Sequence, residues 1–90
     1  MVKVKLGGVL VALAGGVSEI EVDGTTVRDV LRNLAVVSQR LYERVVKPDG
    51  KLRADIYVAV NDVDIRLLNG LSTPVKKEDV VLVLAYIHPG

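Results

Sequence analysis

The stretch VVLVLAY, residues 80–86, is apolar from end to end, and it is the strongest indication of the fold in this chain. A valine-rich run of this length favours a β-strand, and a strand that is apolar on both sides is typical of the middle of a sheet. Successive side chains of a strand point to opposite faces. If a helix covers one face, the other face carries an apolar stripe formed by Val80, Leu82, Leu84 and Tyr86.

This outward stripe allows two interpretations. An exposed apolar surface of such size marks a site for another protein, which makes its four residues candidates for partner binding. In the alternative, loops of the same chain cover the stripe, since central strands often have unbroken hydrophobic runs for that reason. Both interpretations remain open from the residues.

Three earlier segments are also predicted to be strands. Residues 2–7 and residues 18–23 alternate apolar and polar side chains, as half-buried strands do. Residues 56–60 alternate isoleucine and valine with Tyr57 and Ala59 and end at a turn-forming Asn-Asp pair. The first two segments are expected to pair as a hairpin.

One helix is predicted between the second and third strands. It follows the turn Asp23-Gly24-Thr25-Thr26, in which a threonine side chain caps the first helical amides. Apolar residues at helical spacing then form one face, namely Val27, Val30, Leu31 and Leu34. Residues 39–46 either continue this helix or form a second short one. Residues 65–70 are predicted to be a short connector, with or without a further brief strand.

The order of these elements determines the predicted fold class. Two strands, one helix and then more strands do not form a doubly wound sheet and instead suit an α+β architecture. We expect a mixed sheet curled around one main helix, with the first and last strands parallel and central. The folded domain is predicted to span residues 1–86, and residues 87–90 are predicted to be a flexible tail.

Composition excludes several functional classes. Twelve basic and eleven acidic residues leave a net charge of +1, which argues against nucleic acid or an anionic membrane as a partner. The chain has no cysteine, so thiolate catalysis and Cys-type zinc sites are excluded. No run is long enough to span a bilayer. These features suit a cytoplasmic protein.

The first residues also have some features of a secretory signal. Lys3 and Lys5 precede an apolar stretch over residues 6–13, which ends at a small-residue segment of the cleavage type. The lysines, however, alternate with apolar residues as in a strand, and Gly7-Gly8 interrupts the apolar stretch. The alternation favours the strand.

The four residues after the last strand have no apolar periodicity. Pro89 lacks an amide donor and pushes His88 toward an extended conformation, while Gly90 has no Cβ and offers an open carboxylate. Such a tail suits threading into the active site of another protein, although many chains simply end in frayed residues. The single histidine, His88, is interpreted as a solvated spacer. The sequence predicts no catalytic constellation, metal site or bound cofactor.

The chain resembles, in order and over essentially its whole length, the MoaD/ThiS family of ubiquitin-like sulfur carriers. It is most similar to archaeal-type members related to the small subunit of molybdopterin synthase. The stretches that carry the resemblance are VKVKLGG at residues 2–8, LAGG at residues 13–16, TVRDVL at residues 26–31, VAVNDVDIR at residues 58–66 and LNGLSTPV at residues 68–75.

The resemblance implies a β-grasp fold and a mechanism. An E1-like partner uses ATP to adenylate the carboxylate of Gly90, and sulfur then replaces AMP to give a thiocarboxylate. The outward stripe and the tail residues Ile87, His88 and Pro89 are implied to bind the partners. These are the E1-like enzyme and the large subunit of molybdopterin synthase or another sulfur acceptor. The chain is implied not to be catalytic alone.

Two positions depart from the family pattern. Members of the family usually end in Gly-Gly, whereas Pro89 is the penultimate residue of this chain. The position of Gly7 is usually aromatic in the family. Two alternatives to the sulfur carrier are therefore kept. The first is a protein modifier joined to lysines through Gly90, and the second is an interaction module whose tail is inert.

Overall fold

The computed structural model describes residues 1–86, and the predicted tail, residues 87–90, lies outside the described residues. The described chain contains five strands, three α-helices and two short 3₁₀ turns. They are β1 (Val2–Leu6), α1 (Val9–Leu13), β2 (Glu19–Val22), α2 (Val27–Val37), α3 (Gln39–Val45), β3 (Ile56–Val60), β4 (Val63–Asp64), the 3₁₀ turns Ile65–Leu67 and Gly70–Ser72, and β5 (Val80–Ala85).

The five strands form one mixed sheet in the order β2-β1-β5-β3-β4. β1 and β5 are parallel and adjacent, with Val4 beside Val81 and Leu6 beside Val83, while β1–β2 and β3–β5 are antiparallel. This confirms the predicted α+β class with the first and last strands parallel and central.

The helices cover one face of this sheet and close an aliphatic core. α2 is the longest helix and buries the four apolar residues that the sequence places on one face, Val27, Val30, Leu31 and Leu34. Its first turn is capped by Thr26, whose hydroxyl accepts a hydrogen bond of 3.2 Å from the amide of Asp29. The predicted helix therefore forms with its predicted cap.

Ser38 separates α2 from α3 and settles the alternative left open for residues 39–46. Its backbone is extended, with φ at −161° and ψ at 121°, so the first helix ends there. The Ser38 hydroxyl accepts a hydrogen bond from the amide of Leu41 and thereby caps a second helix. Leu41 and Val45 of that helix are buried in the core.

The turn between β3 and β4 is joined to the start of β5. Asn61 and Asp62 both have positive φ, at 49° and 70°, as two-residue hairpin turns require. The Asn61 side chain donates to a carboxylate oxygen of Asp79 at 2.9 Å and accepts from the amide of Val80 at 3.0 Å. Hydrogen bonds from Asn61 and from the amide of Lys76 lower the pKa of Asp79. The connector beyond this hairpin forms the two 3₁₀ turns.

Within residues 1–86, no helix combines the length and the apolar character needed to cross a membrane. The same part of the chain contains no group of three or more His, Asp or Glu side chains arranged to hold a metal ion.

Replacement of Leu34 by Ala tests the core that positions the sheet. Leu34 is 0% exposed, so its loss removes apolar burial and leaves a cavity that costs about 2–5 kcal/mol of unfolding free energy. The matched control is Leu67→Ala, since Leu67 is 80% exposed and its loss is expected to cost less than about 0.5 kcal/mol. Urea denaturation measures both variants, and equal destabilisation would contradict the core assignment.

Candidate functional site: the outer face of the sheet

The outer face of the sheet is the side turned away from the helices. Along β5, Val81 and Val83 are 0% exposed and belong to the core, whereas Val80, Leu82 and Leu84 are half-buried on the opposite side. Tyr86, directly after the strand, is 45% exposed. The predicted division into inward and outward residues is therefore confirmed, and the outward stripe stays partly open to solvent.

β3 places two more residues on this face, neither of them among the predicted site residues; Tyr57 is half-buried and widens the stripe, whereas Ala59 is 0% exposed. Tyr57 lies opposite Leu84 and Ala59 lies opposite Leu82 in the antiparallel register. The rings of Tyr57 and Tyr86 meet edge to face, with their centroids 6.0 Å apart and an angle of 65° between their planes. The sequence signal was the alternation within residues 56–60, which placed Tyr57 and Ala59 on one face but not beside β5.

Charged residues border the stripe on the side of β1 and β2. Lys3 lies beside Val80 and Lys5 beside Leu82 in the parallel register. Both lysines face Glu19, with nitrogen–oxygen distances of 4.0 Å and 3.9 Å. All three side chains are about half-exposed, so these ion pairs contribute little to stability and form a polar edge instead.

An arginine–aspartate pair borders the stripe on the opposite side. Arg66 donates through Nε and Nη2 to the carboxylate of Asp64, with a shortest distance of 2.7 Å. Hydrogen bonds from Arg66 lower the pKa of Asp64, and the pair raises the pKa of Arg66, with smaller contributions from the Tyr86 and Tyr57 phenols. The face thus has an apolar, aromatic centre and a polar rim, an arrangement that suits protein binding.

Gly7 lies at one end of the stripe and is covered by Leu84. A Cβ atom built on Gly7 would collide with the Cδ2 atom of Leu84. The amide of Gly7 donates to the carbonyl of Val83 at 3.1 Å, so the parallel pairing continues to this point. Leu84 therefore occupies the space in which a side chain at position 7 would begin.

The described chain leaves the sheet at Tyr86. Its amide donates a hydrogen bond of 2.7 Å to the carbonyl oxygen of Asp55, which continues the β3–β5 pairing by one residue. The structure thus brings together four of the predicted site residues, Val80, Leu82, Leu84 and Tyr86. The other four, Ile87, His88, Pro89 and Gly90, lie outside the described residues.

Comparison with known proteins identifies the family. The model of the ThiS family matches residues 4–90, which includes β2 to β5, the last three residues of β1 and the four residues beyond Tyr86. The chain belongs to the ThiS family. The sulfur carrier protein CysO of Mycobacterium tuberculosis is 30% identical to this ThiS-family chain over 91 residues, which cover 99% of the chain and 98% of the relative.

Solved structures agree with this assignment. The complex of BexX and CysO from Amycolatopsis orientalis contains a chain with a TM-score of 0.89 and 31% identity, and each chain is covered completely. Small archaeal modifier protein 1 of Methanosarcina acetivorans has a TM-score of 0.88 and 30% identity, with 99% of this chain and 95% of that chain covered. The ThiS-family chain therefore has the ubiquitin-like β-grasp fold, and the family resemblance read from the sequence is confirmed.

Replacement of Gly7 by Ala tests the packing of Leu84 over the backbone. The new methyl group forces Leu84 out of its rotamer, at an expected cost of about 0.5–1.5 kcal/mol. In a Leu84→Ala background the same replacement has room for the methyl group and is expected to be neutral or slightly stabilising, because alanine loses less backbone entropy than glycine. A double-mutant cycle from urea denaturation measures the coupling, and additive effects would contradict the contact.

Proposed function

We propose that this chain is a sulfur carrier whose reacting group is the carboxylate of Gly90. An E1-like enzyme binds ATP and transfers AMP to the carboxylate, with release of pyrophosphate. A sulfur nucleophile supplied by the partner then displaces AMP and leaves a thiocarboxylate. The chain contributes the carboxylate and the docking surface, and it holds no cofactor and no catalytic apparatus of its own.

The observation that carries this proposal is the end-to-end similarity to proteins named as sulfur carriers. The similarity to CysO covers 99% of this chain, and the family model runs through residue 90. Gly90 adds a steric argument, since a residue without Cβ leaves its carboxylate open on all sides. An adenylating enzyme needs such access in order to bring the carboxylate to the α-phosphate of ATP.

The outer face of the sheet supplies the docking surface in this proposal. Its apolar stripe runs along β5 toward Tyr86, after which the four tail residues follow. A partner that covers the stripe is therefore placed to receive the tail in its active site. The E1-like enzyme and the sulfur acceptor bind this same face in turn, because both reactions need the tail.

We further propose molybdopterin synthase as the place where the sulfur is used, with this chain as the small subunit and the acceptor as the large subunit. The support is the resemblance of the chain, over essentially its whole length, to archaeal-type family members related to that small subunit. In this proposal the complex of the two subunits, and not this chain alone, catalyses the sulfur transfer.

Conjugation of Gly90 to lysines of other proteins is the second candidate function. It is favoured by the TM-score of 0.88 with small archaeal modifier protein 1 of Methanosarcina acetivorans. The two functions share the adenylation step and differ in whether sulfur or a lysine amine reacts afterwards. An inert tail is the outcome that would exclude both.

Intact mass spectrometry tests the reacting group. We expect the protein, incubated with ATP, a sulfur donor and the E1-like enzyme of its host, to show the mass change of one oxygen replaced by sulfur. A variant without Gly90 is the control and should keep its mass. Adducts of whole proteins would favour the modifier, and an unchanged mass in both proteins would contradict activation of the tail.

Replacement of Pro89 by Gly tests the departure at the penultimate position. Proline fixes its own φ and has no amide to donate, so glycine restores one hydrogen-bond donor and freedom of the tail. We expect adenylation to become about three- to tenfold faster, the equivalent of one recovered hydrogen bond. An equal or lower rate, measured by pyrophosphate release, would show that the partner is adapted to Pro89.

Replacement of Leu82 by Glu tests the stripe. Leu82 lies between Lys5 and Ala59, so a glutamate has a cationic neighbour and the fold should persist. We expect the KM of the E1-like enzyme for this variant to be at least about tenfold higher than for the wild type, the equivalent of about 1.4 kcal/mol. The reason is that the new carboxylate loses its hydration when the enzyme covers the stripe. The matched control is Val36→Glu, since Val36 is 85% exposed on α2, on the helical side of the sheet, and this change should leave KM unchanged. A similar KM in both variants would contradict docking through the stripe.

A further inference from the structure

Charge is distributed unevenly along the chain, although the whole carries only +1. Residues 28–53 contain seven basic and three acidic side chains, while the rest of the sequence contains five basic and eight acidic ones. Residues 28–53 form α2, α3 and the loop that precedes β3. The positive charge is therefore gathered on the helical side of the fold.

Part of this charge surrounds a cleft of about 670 Å³ between α3 and the start of β3. We call it the basic cleft. Among residues 1–86, four cationic side chains and two carboxylates line it together with Leu13 and Ala54; the charged residues are Arg40, Glu43, Arg44, Lys47, Arg53 and Asp55. The lining thus has an excess of two positive charges.

Two of the cations are held in place by the fold. Arg44 makes a two-point ion pair with Asp55, with nitrogen–oxygen distances of 3.0 Å and 2.5 Å, and this pairing raises the pKa of Arg44. Arg53 donates from Nε to the carbonyl of Glu43 at 2.7 Å, which satisfies a carbonyl in the last turn of α3. Both side chains therefore serve the structure of the cleft.

Arg40 and Lys47 are different, because none of the four ion pairs found in residues 1–86 includes them. Lys47 does lie near Asp49. The hydrogen bond from the amide of Lys51 is the main cause that lowers the pKa of Asp49, and the positive charges of Lys47 and Lys51 lower it to a smaller extent. Arg40 is exposed and Lys47 is half-buried. These two cations account for the excess charge of the cleft.

The basic cleft adjoins the point at which the tail begins. Asp55 lines the cleft, and its carbonyl oxygen accepts the hydrogen bond from the amide of Tyr86. The four residues that follow Tyr86 span at most about 14 Å when fully extended. An enzyme that holds Gly90 in its active site therefore has its own surface within reach of both the outer face and the basic cleft.

We propose that the basic cleft is a second contact for the enzyme that activates Gly90, and that it takes an acidic segment of that enzyme. The proposal rests on the proposed function. A protein partner fits better than a nucleic acid, because the cleft contains two carboxylates and none of the described residues that line it is an aromatic on which a base would stack. The contact is electrostatic, so it acts on encounter and affinity and weakens with salt.

The test compares Arg40→Glu/Lys47→Glu with the wild type, with Lys76→Glu/Lys77→Glu as the matched control. The control makes the same change in charge at two exposed residues before β5, about 20 Å from the basic cleft along the strand. Binding to the host's E1-like enzyme without ATP is measured by calorimetry, and ATP–pyrophosphate exchange is measured against carrier concentration. Both assays are run at low and at high sodium chloride.

We expect the cleft variant to bind at least about tenfold more weakly at low salt and to raise KM equally, with kcat within about twofold. The difference should shrink to about twofold at 0.5 M sodium chloride, and the control should match the wild type. Equal affinities of the cleft variant and the wild type, or an equal loss of affinity in the control, would overturn the proposal. If the wild type binds the enzyme more tightly than the cleft variant but supports no ATP–pyrophosphate exchange, the proposed function is contradicted and the cleft contact stays supported. If the wild type does not bind the enzyme, both proposals are overturned.

Discussion

The parallel pairing of β1 with β5 is the interaction on which the rest of the structure depends. It joins the first and last described elements at the centre of the sheet and buries Val4 beside Val81 and Leu6 beside Val83. The hairpin partner β2 and the strand β3 are then added on either side. Because the paired strands are more than 70 residues apart in the sequence, their closure restricts the whole intervening chain.

A consequence of this pairing is that one strand contributes both to the core and to the proposed docking surface. The inner residues of β5 have no freedom to vary without leaving a cavity, while the outer residues only need to remain apolar and partly open. Leu84 shows how closely the two requirements meet, because it belongs to the outer stripe and also fills the space above Gly7. Leu84 thus takes the space in which a side chain at position 7 would begin.

The central position of β5 also places Tyr86, the last described residue, between two surfaces of different character. On one side lies the apolar stripe, which includes the Tyr57–Tyr86 contact. On the other side lies the basic cleft, joined to the same tyrosine through the carbonyl of Asp55. Burial of apolar surface contributes affinity, whereas charge contributes orientation and a faster encounter. The two surfaces together therefore suit the proposed enzyme, which has to bind the domain in one orientation in order to reach Gly90.

The sequence by itself determined the elements that depend on neighbouring residues. Strand alternation, the helical spacing from Val27 to Leu34 and the cap at Thr26 are local in origin, and all of them formed as predicted. The division of β5 into inner and outer residues followed from the same period of two. The order of the elements and the family resemblance then indicated the fold.

Tertiary structure alone decided which residues become neighbours across the sheet. Tyr57 joins the stripe through the β3–β5 register, and Leu84 reaches Gly7 through the register of β1 with β5. The basic cleft forms only when α3 packs against the start of β3, which brings Arg44 to Asp55 across eleven residues of sequence. Register and packing depend on closure of the whole chain, and for this physical reason no local pattern in the sequence contains them.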